Sequence, residues 1–188
     1  MNGLEKFQHL VEAFESLPSV GKKSATRMAY HICMNDQFSG MKIAHAIESA
    51  LATIRKCRLC GSMSEDELCS ICIDDERDIE LLCIVENAKD IMLMEENALF
   101  KGRYFVLHAL EQDALDLLEE RVKDGVKEII FAFTPSIASD AIILFVEDRL
   151  KEYGLDFTKI AQGVPTGVSL ENVDMLSLSR ALEDRVKA

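Results

Sequence analysis

Residues 57–72 read CRLCGSMSEDELCSIC, two Cys-x-x-Cys pairs separated by eight residues in a chain of six cysteines. Each Cys-x-x-Cys turn can point two thiolates at one ion, and two such turns complete the tetrahedron that zinc prefers. A four-thiolate site leaves no position for water or substrate, so we predict one structural zinc per chain that contributes to folding. The predicted ligands are Cys57, Cys60, Cys69 and Cys72. The other two cysteines, Cys33 and Cys83, lie in apolar contexts and are predicted to be small buried apolar residues.

The alternatives for these cysteines are a thioredoxin-like redox pair or two disulfides. A redox pair would not need a second copy eight residues further on. The composition, 48% apolar and 29% charged residues, is that of an ordinary globular protein. The sequence has neither an apolar run of about 18 to 20 residues nor the apolar core of a signal peptide at its start. We therefore expect a cytoplasmic protein, where the reducing environment favours metal binding over disulfides.

The zinc segment separates two kinds of sequence pattern. Residues 4–56 have the apolar periodicity of helices, with one stripe at Leu4, Phe7, Leu10, Val11 and Phe14 and another at Ala44, Ile47, Leu51 and Ile54. Four strand-like apolar runs follow, at 80–86, 103–109, 127–133 and 158–163. Helical patterns lie between them, at 88–98, 111–124 and 138–153. Strands that alternate with helices of these lengths predict a parallel sheet covered on both faces.

The charge of the chain is unevenly distributed along the sequence. The net charge is −12, yet residues 1–60 contain eight Lys and Arg against five Asp and Glu, an excess of +3. Residues 61–188 then carry −15. Because nucleic-acid phosphates attract clustered positive charge, the position of the basic residues matters more than their number.

Several basic residues lie in LPSVGKKSATRMAYHI, residues 17–32, which reads as a helix end, a short hairpin and a new helix start. We expect Gly21 to permit positive φ and close approach of another molecule, while the free N–H groups of the second helix attract anions. Positive charge at the same end comes from Lys22, Lys23 and Arg27. The segment therefore predicts a phosphate-binding site that does not depend on DNA sequence. DNA-binding hairpins of this kind usually have glycine where this chain has Ser19. The alternative is a plain helical turn with lysines facing solvent.

Taken together, these motifs resemble the RecR family of bacterial recombination mediators. The hairpin LPSVGKKSATRMA, the four-cysteine segment, the stretch LLCIVENAKDIMLMEENALFKGRYFVL and the tail IAQGVPTGVSLENVDMLSLSRAL occur in the family's order. The resemblance implies a homo-oligomer, a ring-shaped tetramer that can encircle DNA. It also implies that the protein acts together with RecO, and in many bacteria with RecF, to load RecA onto single-stranded DNA.

The resemblance also implies four segments in an α+β multi-module chain. These are a helical helix-hairpin-helix module at 1–56, a zinc-finger segment at 57–78, an α/β Toprim-like parallel sheet at 79–160 and a Walker B-like tail at 161–188. Without a Walker A motif, the tail does not make a working ATPase.

The Toprim-like segment bears on whether the protein is an enzyme. Toprim enzymes use a Glu after the first strand together with an Asp-x-Asp pair that holds Mg²⁺. Glu86 occupies the first position, but FTPSIASDAI leaves only Asp140 in place of the pair. We therefore predict a non-enzymatic DNA-binding mediator with no membrane association. The alternatives are a metal-dependent nuclease or strand-cutting enzyme of the Toprim class, and a zinc-stabilised interaction module with no role on DNA.

Overall fold

A computed structural model of the chain describes residues 3–96, 100–161, 164 and 167–183. The chain divides into two compact units, Met1–Ile54 and Arg55–Ala188. In the described part of the chain, no helix has both the length and the apolar character that a membrane span requires.

The first unit is entirely helical, as predicted. Its elements are α1 (Glu5–Glu15), α2 (Lys22–Tyr30), a π-helical turn (His31–Asn35) and α3 (Gln37–Thr53). Val11 of α1 packs against Ala25 and Ala29 of α2, and all three are buried. Because alanine side chains are short, the two helices can approach closely and enclose a small core. The first predicted apolar stripe therefore faces this core, although Leu4 remains half-exposed.

Helix α3 is attached to the rest of its unit mainly at its beginning. The Asp36 carboxylate caps the helix by accepting hydrogen bonds from the Ser39 backbone N–H at 2.9 Å and the Ser39 hydroxyl at 2.6 Å. A Cβ on Gly40 would lie 2.2 Å from the Ile32 side chain, so only glycine permits this close packing on the π-helical turn. No residue of α3 is buried, and the second predicted apolar stripe faces solvent.

The second unit begins with a small module of minimal secondary structure. Two-residue strands β1 (Arg55–Lys56) and β2 (Met63–Ser64) pair antiparallel, and a single helical turn, α4 (Ser70–Ile73), follows. The four predicted zinc ligands form the buried cluster of this module. Apolar side chains contribute little to it, because only Leu59, Leu68 and Ile71 pack against the cysteines.

The rest of the second unit is a four-stranded sheet with helices. Its elements are β3 (Asp78–Val85), α5 (Ala88–Glu96), β4 (Gly102–Val106), α6 (Gln112–Lys123), β5 (Glu128–Ala132), α7 (Ile137–Leu150), a 3-10 turn (Lys151–Tyr153), β6 (Asp156–Lys159), a second 3-10 turn (Leu170–Asn172) and α8 (Met175–Glu183). The strand order is β4-β3-β5-β6 and every pairing is parallel. The predicted α+β class and parallel sheet are confirmed.

Both faces of the sheet are covered, because alternate residues of β3 enter different cores. Leu82 and Ile84 join the larger core with residues of α6 and α7. Cys83 and Val85 point the other way and pack with Ile91 of α5. Burial raises the pKa of the Cys83 thiol to about 12, which keeps it neutral, so the prediction of a small buried apolar residue is confirmed.

Two details differ from the sequence prediction. The last strand begins at Asp156 and ends at Lys159, so it lies earlier in the chain than the predicted run 158–163. Cys33, predicted to be buried, is only half-buried in the π-helical turn. The four predicted segment limits remain a prediction, and residues 162, 163, 165, 166 and 184–188 of the predicted tail lie outside the described residues.

Candidate metal centre and nucleic-acid interface

The four cysteines of the zinc module have the geometry of a closed metal site. Their Sγ atoms lie within 4.8 Å of one another, and all four residues are buried. The Cys60 and Cys69 sulfurs are 3.6 Å apart. A Zn–S bond of about 2.3 Å in a tetrahedron requires sulfurs about 3.8 Å apart. The cluster therefore matches the size of a tetrahedral four-sulfur zinc site.

Backbone N–H groups around the cluster are directed at the sulfurs. The Ser62 N–H donates to Cys60 Sγ at 3.5 Å, and the Cys69 N–H donates to Cys57 Sγ at 3.3 Å. Gly61, at a φ of +72°, completes the first Cys-x-x-Cys turn with an N–H that donates to the Cys57 carbonyl at 2.9 Å. Such N–H groups stabilise thiolates and orient them toward a metal.

The closeness of the four buried sulfurs also points to a bound cation. The hydrogen bonds from the Cys60 and Cys72 thiols lower the pKa of the Cys69 thiol. The same hydrogen bond to Cys69 raises the pKa of Cys60. Four sulfurs this close cannot all ionise without a positive charge among them, because like charges repel strongly when they are buried. A zinc ion supplies that charge, and the four cysteines hold one structural zinc per chain.

The zinc module is joined to the sheet through strand β4, which lies at one sheet edge. The Val106 N–H donates to the Cys60 carbonyl at 2.8 Å. A Cβ on Gly61 would lie 3.4 Å from Val106 Cβ, so the turn packs directly on the strand. The second Cys-x-x-Cys turn leads through Asp74 to Arg77, just before β3.

Arg77 is the centre of a polar network that the sequence did not reveal. Its guanidinium donates to both carboxylate oxygens of Glu95 on α5, one of them at 2.9 Å, and to the carbonyls of Phe100 at 3.3 Å and Gly102 at 3.4 Å. The hydroxyl of Tyr104 on β4 donates to Glu95 at 2.7 Å. The Arg77 hydrogen bonds lower the pKa of Glu95, so the pair is ionised at neutral pH. We call these residues the Arg77 network.

The hairpin of the first unit has the predicted position but a different backbone from the one expected. Ser19 has a φ of +66°, in the left-handed region. Gly21 has a φ of −87° and caps the start of α2, so the expectation of positive φ at Gly21 is wrong. The left-handed residue is therefore the one at which related hairpins usually have glycine. Nothing lies within 4 Å of where a Cβ on Gly21 would be, so the backbone there is open to an approaching molecule.

The predicted basic residues lie on two stripes of α2. Lys23 and Arg27 are four residues apart, which places both on one face of the helix, and both are exposed. Lys22 belongs to another stripe, because it lines a cleft of ≈ 450 Å³ between α1 and α2 together with Glu5 and Glu12. Lys22 therefore faces acidic residues of its own unit, and Lys23 and Arg27 form the stripe better suited to an external anion.

The boundary between the units changes the interpretation of the charge. Residues 1–54 contain five Lys and Arg and five Asp and Glu, a net charge of zero, so the second unit carries the whole −12. The predicted excess of +3 in residues 1–60 comes from Arg55, Lys56 and Arg58 at the start of the zinc module. Arg58 forms an exposed ion pair with Glu67 at 3.1 Å. The first unit thus offers a local basic stripe without being a basic domain.

The two acidic residues predicted to matter in the Toprim-like segment, Glu86 and Asp140, lie at the carboxyl edge of the sheet. Glu86 directly follows β3 and is half-buried, while Asp140 is exposed in the first turn of α7. Asp140 lines a groove of ≈ 420 Å³ that also contains Glu147 and Lys159. Across the described ranges, the cysteine cluster is the only group of three or more potential metal ligands that lie close together.

Asp174, the acidic residue of the Walker B-like tail, has a local structural role. Its carboxylate accepts a hydrogen bond from the Ser177 N–H at 2.9 Å at the start of α8. This contact resembles a helix cap, which satisfies an N–H group that has no partner within the helix.

Comparison with known protein families finds four matching models along the chain. They are described as RecR, helix-hairpin-helix, over residues 7–51; RecR, four-cysteine zinc finger domain, over 54–74; Toprim domain, over 80–161; and RecR, C-terminal, over 163–186.

Relatives that match over nearly their whole length are also named RecR. Recombination protein RecR of Nitratiruptor is 57% identical over 98% of this chain and 97% of its own length. The protein of that name from Campylobacter jejuni subsp. doylei is 53% identical over 98% of both chains. The one from Helicobacter pylori is 46% identical over 100% of this chain and 97% of its own.

Proposed function

Because this chain belongs to the RecR family of recombination proteins, we propose that it is a non-enzymatic, DNA-binding recombination mediator. The observation that carries the proposal is the exposed stripe of Lys23 and Arg27 beside a hairpin with open backbone at Gly21. Phosphate contacts carry no base information, so binding would not depend on DNA sequence. The protein would help to load RecA onto single-stranded DNA.

The start of α2 supports a phosphate contact at this hairpin. The first N–H groups of a helix have no partner within the helix, and the helix dipole makes this end partly positive. Gly21 caps α2 without a side-chain hydrogen bond, so no side chain of its own competes with a phosphate there. Lys23 and Arg27 add two positive charges that can engage neighbouring phosphates on the same strand.

A charge-reversal experiment tests the proposal. Lys23→Glu combined with Arg27→Glu should lower DNA affinity on the order of tenfold or more and reduce the log–log salt slope by about 0.9 per lost phosphate contact. Lys6→Glu combined with Lys42→Glu makes the same charge change on exposed residues of the same unit and is the matched control. An equal loss of DNA affinity in both double variants would refute the hairpin as the DNA-binding element. Unchanged affinity in Lys23→Glu combined with Arg27→Glu would refute it as well.

A second variant tests the backbone contact separately. Gly21→Ala should leave the free energy of unfolding within about 0.5 kcal/mol, because the residue has ordinary φ and its Cβ would meet nothing. The added methyl group would stand where a phosphate approaches, so DNA affinity should fall. Unchanged affinity in fluorescence anisotropy would exclude close approach at Gly21.

We further propose that the protein acts as a homo-oligomer, a ring-shaped tetramer, in which α3 contacts a second copy of the chain. The apolar side chains of α3 are largely exposed, at 80% for Phe38, 72% for Met41 and 80% for Leu51. Large apolar side chains that remain exposed along a helix are typical of a subunit interface. An oligomer would also bring several hairpins to one DNA molecule, which a net charge of −12 makes necessary.

The expected protein partners are RecO-like and RecF-like mediators, and the expected location is the cytoplasm, where the bacterial chromosome lies. The acidic second unit supports a partner with basic surface, because complementary charge accelerates association. Catalysis is not part of the proposal. Glu86 and Asp140 would have to bind Mg²⁺ without the Asp-x-Asp pair that Toprim enzymes use.

A further inference from the structure

A cleft beside the proposed phosphate contact has lining residues that suit a nucleic-acid base. It measures ≈ 370 Å³ and is lined by Arg27, Met28, Tyr30, His31 and Asn35. This volume is near the lower end of the range of about 300 to 1,000 Å³ that is typical of small-ligand pockets. The cleft lies where α2 passes into the π-helical turn, and π-helical turns occur frequently at functional sites.

The lining combines one cation with two flat rings on the same helix face. Tyr30 is three residues and His31 four residues after Arg27, so all three side chains project to one side. Tyr30 is 54% exposed. Within the described ranges, its hydroxyl has no hydrogen-bond partner and Arg27 forms no ion pair. The exposed ring and the exposed guanidinium are therefore both available to contact a ligand.

We propose that this cleft receives one unpaired base of single-stranded DNA, which stacks on Tyr30 while Arg27 contacts the adjacent phosphate. The inference rests on the proposed DNA-binding function and deepens it. Sequence-tolerant binding of single strands generally combines a basic groove with aromatic rings on which bases stack. In duplex DNA the bases are already stacked inside the helix and cannot reach such a ring without leaving it. The site therefore gives the protein a preference for single strands.

The test compares an oligothymidylate with an abasic oligonucleotide of equal length, which has the same phosphates but no bases. In fluorescence anisotropy at one salt concentration, the unmodified protein should bind the oligothymidylate at least about fivefold more tightly. Tyr30→Ala should remove this preference by weakening only the oligothymidylate. Tyr30→Phe keeps a ring and should retain it. The salt slope should be the same in all three proteins, because the phosphate contacts do not change.

The outcomes separate this inference from the proposed function. If the unmodified protein binds both oligonucleotides equally, or if Tyr30→Ala keeps the preference, the stacking site is refuted while phosphate binding stands. Lys23→Glu changes a residue that does not line the cleft, so an equal loss of affinity for both oligonucleotides in this variant tests the phosphate contact alone.

A second measurement does not depend on a folded variant. An oligonucleotide containing 5-iododeoxyuridine can be photocrosslinked to the unmodified protein, and the attached peptide identified by mass spectrometry. Attachment at Tyr30 or His31 supports the stacking site. Attachment only at other peptides overturns it.

Discussion

Cys72 shows how a single residue stabilises this fold through a metal instead of through apolar packing. It lies on the one-turn helix α4, where Leu59, Leu68 and Ile71 are the half-buried apolar residues around the cysteine cluster. With so little apolar area to bury, the module depends on the free energy of zinc binding, which in a closed site is also folding free energy.

Cys72→Ser should therefore lower the bound zinc below one per chain and the free energy of unfolding by several kcal/mol. Elemental analysis and denaturant unfolding would measure the two effects. Cys33→Ser is the matched control, because Cys33 is half-buried in the first unit and is not one of the four clustered cysteines. A full complement of zinc in Cys72→Ser would exclude this residue as a ligand.

Glu95 is a second residue whose role depends on its partners. Its side chain is 27% exposed and pairs with Arg77, which is 14% exposed. Glu95→Gln should lower the free energy of unfolding by about 1 to 3 kcal/mol, the typical contribution of hydrogen bonds to a charged group. Glu96→Gln, at an exposed neighbouring position, should have little effect and serves as the control.

The pH dependence of this effect follows from the lowered pKa of Glu95. A carboxylate whose pKa is lower in the folded state contributes stability above its unfolded pKa and loses that contribution as the pH falls through the folded value. The difference between the unmodified protein and Glu95→Gln should thus be constant from pH 8 to pH 5. It should decline only below the ordinary value of 4.5. A difference that changed steadily between pH 8 and pH 5 would contradict the assignment.

Among the elements, α3 has the apolar sequence pattern of a packed helix but is exposed to solvent. It has 17 residues and an apolar stripe, yet none of its residues is buried. Gly40 and Asp36 hold its first turns against the π-helical turn, and the remainder extends with its apolar side chains uncovered. A second copy of the chain could cover this stripe.

Leu51→Asp tests this interpretation of α3. Leu51 is 80% exposed, so a charge there should leave the folding of the unit intact while it disrupts a subunit contact. The assembled mass in light scattering should fall. Ser49→Asp adds the same charge at an exposed polar position of α3 and should leave the mass unchanged. An unchanged mass in Leu51→Asp would exclude α3 as the interface.

Strand β4 shows how the zinc module and the sheet support each other. The edge of a sheet has unpaired backbone groups that can recruit other strands. Here the Val106 N–H at this edge donates a hydrogen bond to the Cys60 carbonyl. Arg77 donates to the carbonyls of Phe100, before the strand, and Gly102, within it. The metal site thus helps to complete the sheet in addition to holding its own module together.

At the scale of the whole molecule, the charge distribution favours a binding protein that works by assembly. The second unit carries the entire −12, and the first unit is neutral apart from its local basic stripe. A single stripe with two basic residues gives weak binding, because each phosphate contact adds only a modest increment. Several copies acting together would multiply the contacts, as in other multivalent binders.

The whole-molecule prediction for catalysis is that the isolated protein does not cleave, join or prime DNA with Mg²⁺ or Mn²⁺. Glu86 and Asp140 lack the Asp-x-Asp pair with which Toprim enzymes hold Mg²⁺, and catalysis of phosphoryl transfer by a divalent metal requires a cluster of oxygen ligands. Gel assays with labelled DNA would measure any product. Turnover that disappears in Glu86→Gln would establish the enzymatic alternative instead.

Sequence patterns alone predict the zinc ligands, the helical first unit and the parallel sheet. These features depend on spacing over a few residues, such as the two Cys-x-x-Cys turns, or on regular alternation of strands and helices, and neighbouring residues dictate both. Tertiary packing determines which apolar stripe is covered, since burial of Val11 and exposure of Leu51 depend on what packs against them. It also decided that Ser19, and not Gly21, takes positive φ, because two helices must pack across the hairpin. The pairing of Arg77 with Glu95 joins residues 18 positions apart, and no local pattern encodes a contact that exists only after the sheet has formed.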